Sequence, residues 1–423
     1  MEGLSDGRAH AFAGNPILFG KRDNLSTEEL KDLIFGAPDP PFQLKILLMF
    51  DGKPLIAAAV SAQDSASWSL AWQSLLQVHQ VLLSLKPLKE RSNDEVLVSE
   101  AAASTTSADD FENYERLVYI GERDRFGYFA LDISASGLAS SDAINGAGKA
   151  REIAEKFEIA TTRLAFTDLR TLMLGTDWTD EVAMGELSIA GHARAMVQWH
   201  SQARYCGHCG ARTLSIMAGQ RRQCSNSFCK HKWYPRIDPV VIMLVINKDN
   251  DSALFSRQSH FPRRMWSCLA GFIEPGESLE EAVRRETREE TSIEIGQILY
   301  HSSQPWPVGP TSMSCQLMVG FFAFAKTLDI HVDGKELEEA QWQTREQVCH
   351  TLRQMDYKHE QELAAVKVYK STVGGDKERG TSSTSPLQAT EGVTMFLPGP
   401  YAIAHHLIST WANNGAEVLL SKF

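Results

Sequence analysis

No apolar run in this 423-residue chain exceeds the seven residues at 240–246, far below the roughly 20 that a membrane-crossing helix needs. That shortage argues against a helical membrane span. Positive charge is also in the minority. With 42 Lys and Arg against 53 Asp and Glu, the formal net charge is −11, which disfavours broad binding to nucleic-acid backbones. The opening residues, MEGLSDGRAHAFAGN, have no apolar core for secretion and lack the arginine-rich, acid-poor character of a mitochondrial presequence. Without a secretory signal, Cys268, Cys315 and Cys349 read as reduced, buried thiols and not as disulfides. At 43% apolar, the chain is long enough for two or three domains with real cores and reads as soluble.

Carboxylate, by contrast, is concentrated in one short stretch, residues 271–293, GFIEPGESLEEAVRRETREETSI. Glu274, Pro275 and Gly276 predict a turn, and Ser278 with Glu281 three residues later predicts a capping box that opens a helix. Leu279, Ala282, Val283 and Thr287 supply a narrow apolar stripe. Glu286 and Glu290 are four apart and share a face, with Glu289 at its border. Like charges at that spacing cost roughly 0.2–0.5 kcal/mol per pair, so a cation is expected to offset them. Glu277, Glu286, Glu289 and Glu290 offer the hard oxygens that Mg2+ or Mn2+ prefers. The plainer alternative is a solvated acidic face with Arg284, Arg285 and Arg288 as ion partners.

The order of these residues decides between the two. Gly271, five residues, Glu277, seven residues and then Arg285-Glu286-Thr287-Arg288-Glu289-Glu290 resembles the Nudix box, the loop-helix-loop of hydrolases that cleave nucleoside diphosphates linked to another group. Every charged position of that motif is present. Ser292 stands where the family has glycine after the helix, at a left-handed position where serine costs of order 1 kcal/mol. The resemblance implies that Glu286 and Glu290 bind the catalytic metal, joined by the backbone carbonyl of Ala270. Glu289 is implied as a metal ligand or as the base that activates water, and Arg285 as the residue that orients Glu277. The cluster is read as exposed, so Glu290→Gln is expected to abolish turnover and leave the fold intact.

Cys206-x2-Cys209, fourteen residues and Cys224-x4-Cys229 is close to a four-cysteine zinc ribbon, in which Gly207 and Gly210 fit the tight knuckle. Two pairs at this distance suit one structural zinc better than a redox Cys-x2-Cys. The ribbon lies directly before the Nudix box, and Ser303-Gln304-Pro305-Trp306-Pro307 follows it. Together these resemble the NADH pyrophosphatase subfamily. That resemblance implies substrate contacts at Gln304, Pro305, Trp306 and Pro307, base-holding rings at Tyr234 and Phe272, a further metal carboxylate at Glu336 and a small residue beside the nucleotide at Ala404. Ordinary core packing is the rival explanation for Phe272 and Ala404. Val308 departs from the subfamily's aromatic residue, which puts selectivity in question, and Gly219 stands where bacterial relatives have a substrate-contacting glutamate. A basic patch at Arg221, Arg222, Lys230, His231, Lys232 and Arg236 could steer phosphates, although a solvated ribbon surface is the simpler reading.

The expected organisation is an amino-terminal domain at 1–200, a ribbon at 201–236 and a Nudix domain at 237–423. The fold class is α/β: an α/β/α sandwich around a mixed sheet, preceded by the ribbon and an α+β domain. Strands are expected at LKILLMF, RLVYIGERDRFGYFALDIS, VVIMLVIN, ALFSRQ, MVGFFAFAK and EEAQWQ. Helices are expected at 68–85 and 147–157 and in the tail YAIAHHLISTWANN, where Ile403, Leu407 and Trp411 share a face. Residues 92–110 and 371–392 read as loop insertions. Ser421-Lys422-Phe423 resembles a peroxisomal address and implies an import receptor as a partner, with the cytosol as the alternative location.

The expected activity is metal-dependent hydrolysis of NADH, and more weakly NAD+, to reduced nicotinamide mononucleotide and AMP, with removal of NAD caps from RNA as related chemistry. The cofactors would be Mg2+ or Mn2+ plus one Zn2+ per chain, and the assembly a homodimer. A non-hydrolysing dinucleotide sensor and a hydrolase of ADP-ribose or coenzyme A are the alternatives.

Overall fold

The structure is a computed structural model that describes residues 10–18, 25, 29–30, 43–60, 66–85, 116–134, 146–158, 162–249, 251–309, 313–373 and 395–421. Most of the expected insertion at 371–392, all of 92–110, and Lys422 and Phe423 lie outside these residues.

The amino-terminal part is built from β1 (Gln43–Phe50), β2 (Lys53–Val60), β3 (Ala66–Leu70), α1 (Leu75–Leu85), β4 (Leu117–Arg123), β5 (Phe126–Asp132), α2 (Gly146–Lys156), β6 (Leu164–Phe166), α3 (Leu169–Gly175) and α4 (Glu181–Gln202). Asp51 and Gly52 both have positive φ, as a tight two-residue hairpin requires, and Asp124 and Arg125 do the same between β4 and β5. The stretch read as one strand-like piece is therefore a hairpin. Residues 66–70 form a strand, so the expected helix at 68–85 is shortened to Leu75–Leu85. The sheet order is β3-β2-β1-β5-β4, with β6 beside β2 and a parallel pair at β1/β5.

A three-stranded ribbon follows, made of β7 (Thr213–Ile216), β8 (Arg221–Cys224) and β9 (Lys232–Trp233). Its first turn hydrogen-bonds to the amino-terminal sheet, with Tyr119 N donating to Ala218 O at 2.8 Å. Gly219 sits in that turn at φ +83°, and a Cβ there would come within 2.8 Å of the Val118 backbone. A side chain has no room at this position.

The carboxy-terminal part comprises β10 (Asp238–Asn247), β11 (Ser252–Arg257), β12 (Leu269–Phe272), α5 (Leu279–Thr291), β13 (Ile295–Trp306), β14 (Gln316–Ala325), β15 (Glu339–Thr344), α6 (Arg345–Gln354), α7 (Tyr357–Val373) and α8 (Ile403–Ser421). The strand order is β13-β14-β10-β11-β15, with β12 against β10 and a parallel pair at β10/β14. The seven-residue apolar run is the middle of β10, buried on both faces. Val241, Met243 and Val245 pack with Ala282 and Val283 of α5. Ile242, Leu244 and Ile246 pack with Ile403, Leu407 and Trp411 of α8. Helices on both faces of a mixed sheet make the expected sandwich. The helical path of α8 breaks at Gly415, whose φ of +73° suits glycine.

The two large sheets share one pattern: a hairpin, β1-β2 or β10-β11, whose first strand runs parallel to the second strand of a later hairpin, β4-β5 or β13-β14. The two units are also packed together. α7 lies against α3 and against β2 and β3, with Gln361 Nε2 donating to Gly175 O at 3.0 Å. A Cβ on Gly175 would come within 3.1 Å of the Ala365 backbone, so glycine permits this close approach. Residues 371–373, expected to be loop, end this helix.

Candidate active site at the carboxylate helix

Local hydrogen bonds fix the entry to α5. Glu277 N donates to Glu274 O at 3.1 Å around Gly276, whose φ is +98°. Ser278 Oγ accepts from Glu281 N at 3.2 Å, while the Glu281 carboxylate accepts from Ser278 N at 2.7 Å, completing the expected capping box. The helix ends at Ser292 in the left-handed region, φ 62°. Ala282, Val283 and Thr287 are buried, as the stripe predicts. Leu279, 36% exposed, is not part of it.

Gly271 on β12 meets the same helix. A Cβ at this residue would fall 1.9 Å from Glu286 Cδ, so only glycine lets the Glu286 carboxylate lie against the strand. Arg285 organises the outer carboxylates. Its Nε and Nη2 grip Glu277 at 2.6 and 2.9 Å, and its Nη1 reaches Glu286 Oε1 and Glu289 Oε2, each at 2.9 Å. Nη2 also donates to Phe272 O at 2.8 Å. The Arg285 hydrogen bonds, a bond from the Glu274 amide and the guanidinium charge hold Glu277 down at a pKa of about 2.

Glu290 differs from the exposed residue that the sequence suggests. It is only 3% exposed, and its Oε2 has no hydrogen-bond partner. A loop at 331–337 packs beside the end of this helix. That loop is tied to α5 through Asp333 N donating to Glu290 O at 3.1 Å and His331 N donating to Thr291 O at 3.0 Å. Burial first, and then the charges of Glu286, Glu336 and Glu289, push Glu290 up to about 8. Burial also raises Glu286, against the pull of Arg285. The exposed Glu336 is thus close enough to add its charge to both.

A divalent cation suits this set: hard oxygens, mutual repulsion and one buried carboxylate oxygen left without a partner. Glu286, Glu290 and Glu336 would hold it, with the Ala270 carbonyl on β12. Arg285 holds Glu286 and Glu289 from outside. Among the described residues, the four thiols, and not these glutamates, form a set whose ligand atoms all lie within 4.8 Å of one another.

Those thiols belong to Cys206, Cys209, Cys224 and Cys229. Sulfur separations of 3.9 Å (Cys206 to Cys229) and 3.4 Å (Cys209 to Cys224) bracket the roughly 3.8 Å edge of a tetrahedron with 2.3 Å zinc–sulfur bonds. Gly210, at φ +73°, turns the first knuckle as its N–H donates to Cys206 O at 2.8 Å. The nearby basic patch is partly committed. Arg222 bonds to Thr213 and to His200 Nδ1, Arg236 pairs with Asp238 at 2.6 Å, and the Arg221 guanidinium lies 4.8 Å from the Tyr234 ring centre.

Glu290 and Ala270 also line a cavity of about 480 Å3 between the β10–β14 face and the amino-terminal unit. Trp306 and Ala404 line it too, as the sequence leads one to expect. Gln304 borders it with its amide engaged in the fold: Nε2 donates to Tyr401 O at 2.8 Å and Ala11 O at 3.2 Å, while Oε1 accepts from Ile403 N at 2.7 Å. Gln304 therefore braces the fold while it borders the cavity. Pro307 packs on Gly191, and its carbonyl accepts from Arg194, so it too belongs to the seam between the units. Pro305 is held in β13 opposite Leu317, outside the cavity. Val308 is buried in the amino-terminal core with Leu172 and Met173 and offers no stacking surface. Tyr234 and Phe272, 57% and 43% exposed, stand outside the cavity. Arg170, Trp178, Tyr357, Glu360 and Tyr401 line it without any motif having pointed to them.

Comparison with known proteins places these features in families. Residues 236–365 match the NUDIX domain, and residues 45–199 match an NADH pyrophosphatase-like rudimentary NUDIX domain. The chain is 45% identical over 430 residues to Nudix hydrolase 19, chloroplastic, of Arabidopsis thaliana, covering 98% of this chain and 89% of the plant protein. It is 32% identical to the mouse NAD(P)H pyrophosphatase NUDT13, mitochondrial, over 71% of this chain and 73% of that one. It is 43% identical to the human NAD-capped RNA hydrolase NUDT12, over only 40% of this chain and 36% of the human protein.

Proposed function

The chain belongs to the Nudix hydrolase family, and from that premise we propose that it is a metal-dependent NAD(H) diphosphatase, cleaving NADH, and more weakly NAD+, to reduced or oxidised nicotinamide mononucleotide and AMP. The observation that carries this reading is the placement of Glu290: a buried glutamate with an unpartnered oxygen, at the wall of a cavity large enough for a nucleoside. Removal of an NAD cap from RNA is the same bond cleavage on a longer substrate, and it is the activity named for the human relative.

In this reading Glu286, Glu290 and Glu336 hold Mg2+ or Mn2+. The bound ion would neutralise diphosphate oxygens and make water more acidic. Arg285 keeps Glu277 ionised and fixed. Glu289, whose side chain is 57% exposed beside the metal-binding pair, is in this reading the base that activates water. The four thiolates hold one structural zinc, which leaves no coordination position for substrate.

A panel of NADH, NAD+, ADP-ribose, coenzyme A and a short NAD-capped RNA, offered with Mg2+ or Mn2+, tests the assignment through product analysis. NADH should rank first among the free nucleotides. Faster cleavage of ADP-ribose or coenzyme A would replace it, and tight dinucleotide binding without cleavage would favour a sensor. The tripeptide Ser421-Lys422-Phe423 is proposed as a peroxisomal address. A fluorescent fusion should lose peroxisomal import when these three residues are deleted, and unchanged import would refute the proposal.

A further inference from the structure

The groups assigned to the metal do not all stand on equal supports. Glu286 and Glu290 belong to α5, and Ala270 belongs to β12. Glu336 instead lies in the connection from β14 to β15, is exposed, and has a carboxylate with no hydrogen-bond partner among the described residues. A long side chain on an exposed loop loses rotamer freedom when it takes hold of an ion, so its strength as a ligand depends on how firmly its backbone is set. That backbone is fastened from two sides.

The first side is α5, whose Glu290 and Thr291 carbonyls accept from Asp333 N and His331 N. Asp333 O in turn accepts from Glu336 N at 3.1 Å and Leu337 N at 3.0 Å, and the Asp333 carboxylate accepts from Lys335 N at 2.9 Å, which closes a turn over 333–336. Leu337, 3% exposed, seats that turn in the core with Ala282 and Val283 of α5. The second side is the end of β11. Arg257 O accepts from Glu338 N at 2.9 Å, and the Arg257 guanidinium returns to the same residue, Nε and Nη2 donating to Glu338 Oε2 at 3.0 and 2.8 Å. The Arg257 side chain is only 11% exposed, so this pair is better sheltered from water than an ordinary surface ion pair. It lies just past the last pair of the β11–β15 ladder, Arg257 with Glu339, and therefore holds the loop and not the strand.

Resting on the assignment of a catalytic metal to Glu286, Glu290 and Glu336, we propose that Arg257 is a positioning residue for that metal: its grip on Glu338 sets the loop so that the Glu336 carboxylate is presented to the ion held by α5. The direction of the effect separates positioning from charge. Arg257 is itself a cation, and by Coulomb's law alone its removal favours the binding of another cation. Positioning predicts the reverse.

The test is a Mn2+ titration of the zinc-loaded full chain, read from the paramagnetic resonance signal of the free ion. It compares the wild type with Arg257→Met, Glu336→Gln and the double variant. Methionine keeps an apolar stem in place of the sheltered arginine stem. The Mn2+ dissociation constant should rise about tenfold in Arg257→Met, the scale at which loss of a group that orients a ligand is felt. The same substitution should have almost no effect in the Glu336→Gln background, because the clamp acts through that carboxylate. Unchanged or tighter binding in Arg257→Met, or a weakening that persists in full in the double variant, would overturn the proposal. Glu338→Ala, at the exposed end of the pair, is the second variant. If circular dichroism shows that Arg257→Met does not fold, Glu338→Ala should weaken Mn2+ binding in the wild-type background and not in Glu336→Gln, and any other pattern rejects the clamp. Unchanged Mn2+ binding in Glu290→Gln would remove the parent reading of the metal site. Weakened binding in Glu290→Gln and Glu336→Gln, with none in Arg257→Met, would remove this proposal alone.

Discussion

Glu290 carries opposed demands: it is buried like a core residue and surrounded by like charge. Its carboxyl has a folded pKa of about 8, above the ordinary carboxylate value near 4.3, so the metal-free fold retains a proton that the unfolded chain has lost. Its contribution to stability is thus fully present below about pH 4.3 and is lost as pH rises through about 8. The metal-free, zinc-loaded protein should lose about 5 °C in melting temperature between pH 5 and pH 8.5 through this group. Glu290→Gln, which mimics the protonated form, should flatten that decline, and Mg2+ should restore the wild type at the upper end. Parallel pH profiles for the two proteins would show that Glu290 is not the group responsible. The sequence revealed which glutamates share a helical face, because 3.6-residue periodicity is local. It could not reveal that the tertiary fold buries one of them. The bracing bonds of Gln304 were hidden for the same reason: its partners lie 293, 97 and 99 residues away.

Among the elements, those legible beforehand were specified by their own residues. Helix α5 begins at a capping box and ends at a left-handed residue, β10 is a continuous apolar run, and α8 presents Ile403, Leu407 and Trp411 to the sheet. Helix α4 escaped notice because it is enclosed on much of its circumference, with Leu187, Ile189, Ala190, Ala193 and Val197 all buried, and so carries no simple apolar stripe. The ribbon is a third case. Its short strands would not stand alone, and the spacing of four cysteines is what marks it. Cys224→Ser should lower the zinc content from one per chain to well below one and lower the melting temperature, because the metal contributes folding free energy. Mass-spectrometric zinc counting that finds full occupancy in the variant would contradict the structural site.

At the scale of the whole molecule, two sheets of like strand pattern are joined by the ribbon, by α7 and by the seam around Gln304 and Pro307. The carboxy-terminal sheet bears the carboxylate helix, and the amino-terminal unit matches a rudimentary form of the same domain. That kinship was hidden in the sequence because a shared strand order needs only shared alternation of burial, not shared residues. The exposed apolar residues Tyr205, Leu214, Phe228, Tyr234 and Ile237, on and beside the ribbon, support the proposal of a homodimer. Light scattering should give a mass near 94 kDa, about twice the 47.0 kDa chain, and a monomeric mass at micromolar concentration would refute it. The central claim is that the carboxylates of α5 cleave the diphosphate of NADH, and the most direct measurement is AMP release from NADH with Mg2+ or Mn2+ by the wild type and by Glu290→Gln. AMP and reduced nicotinamide mononucleotide should appear in equal amounts only with metal, and the rate should fall by roughly a hundredfold or more in the variant, the scale expected when a group stabilising the transition state is removed. Cleavage by folded Glu290→Gln at the wild-type rate would contradict the account.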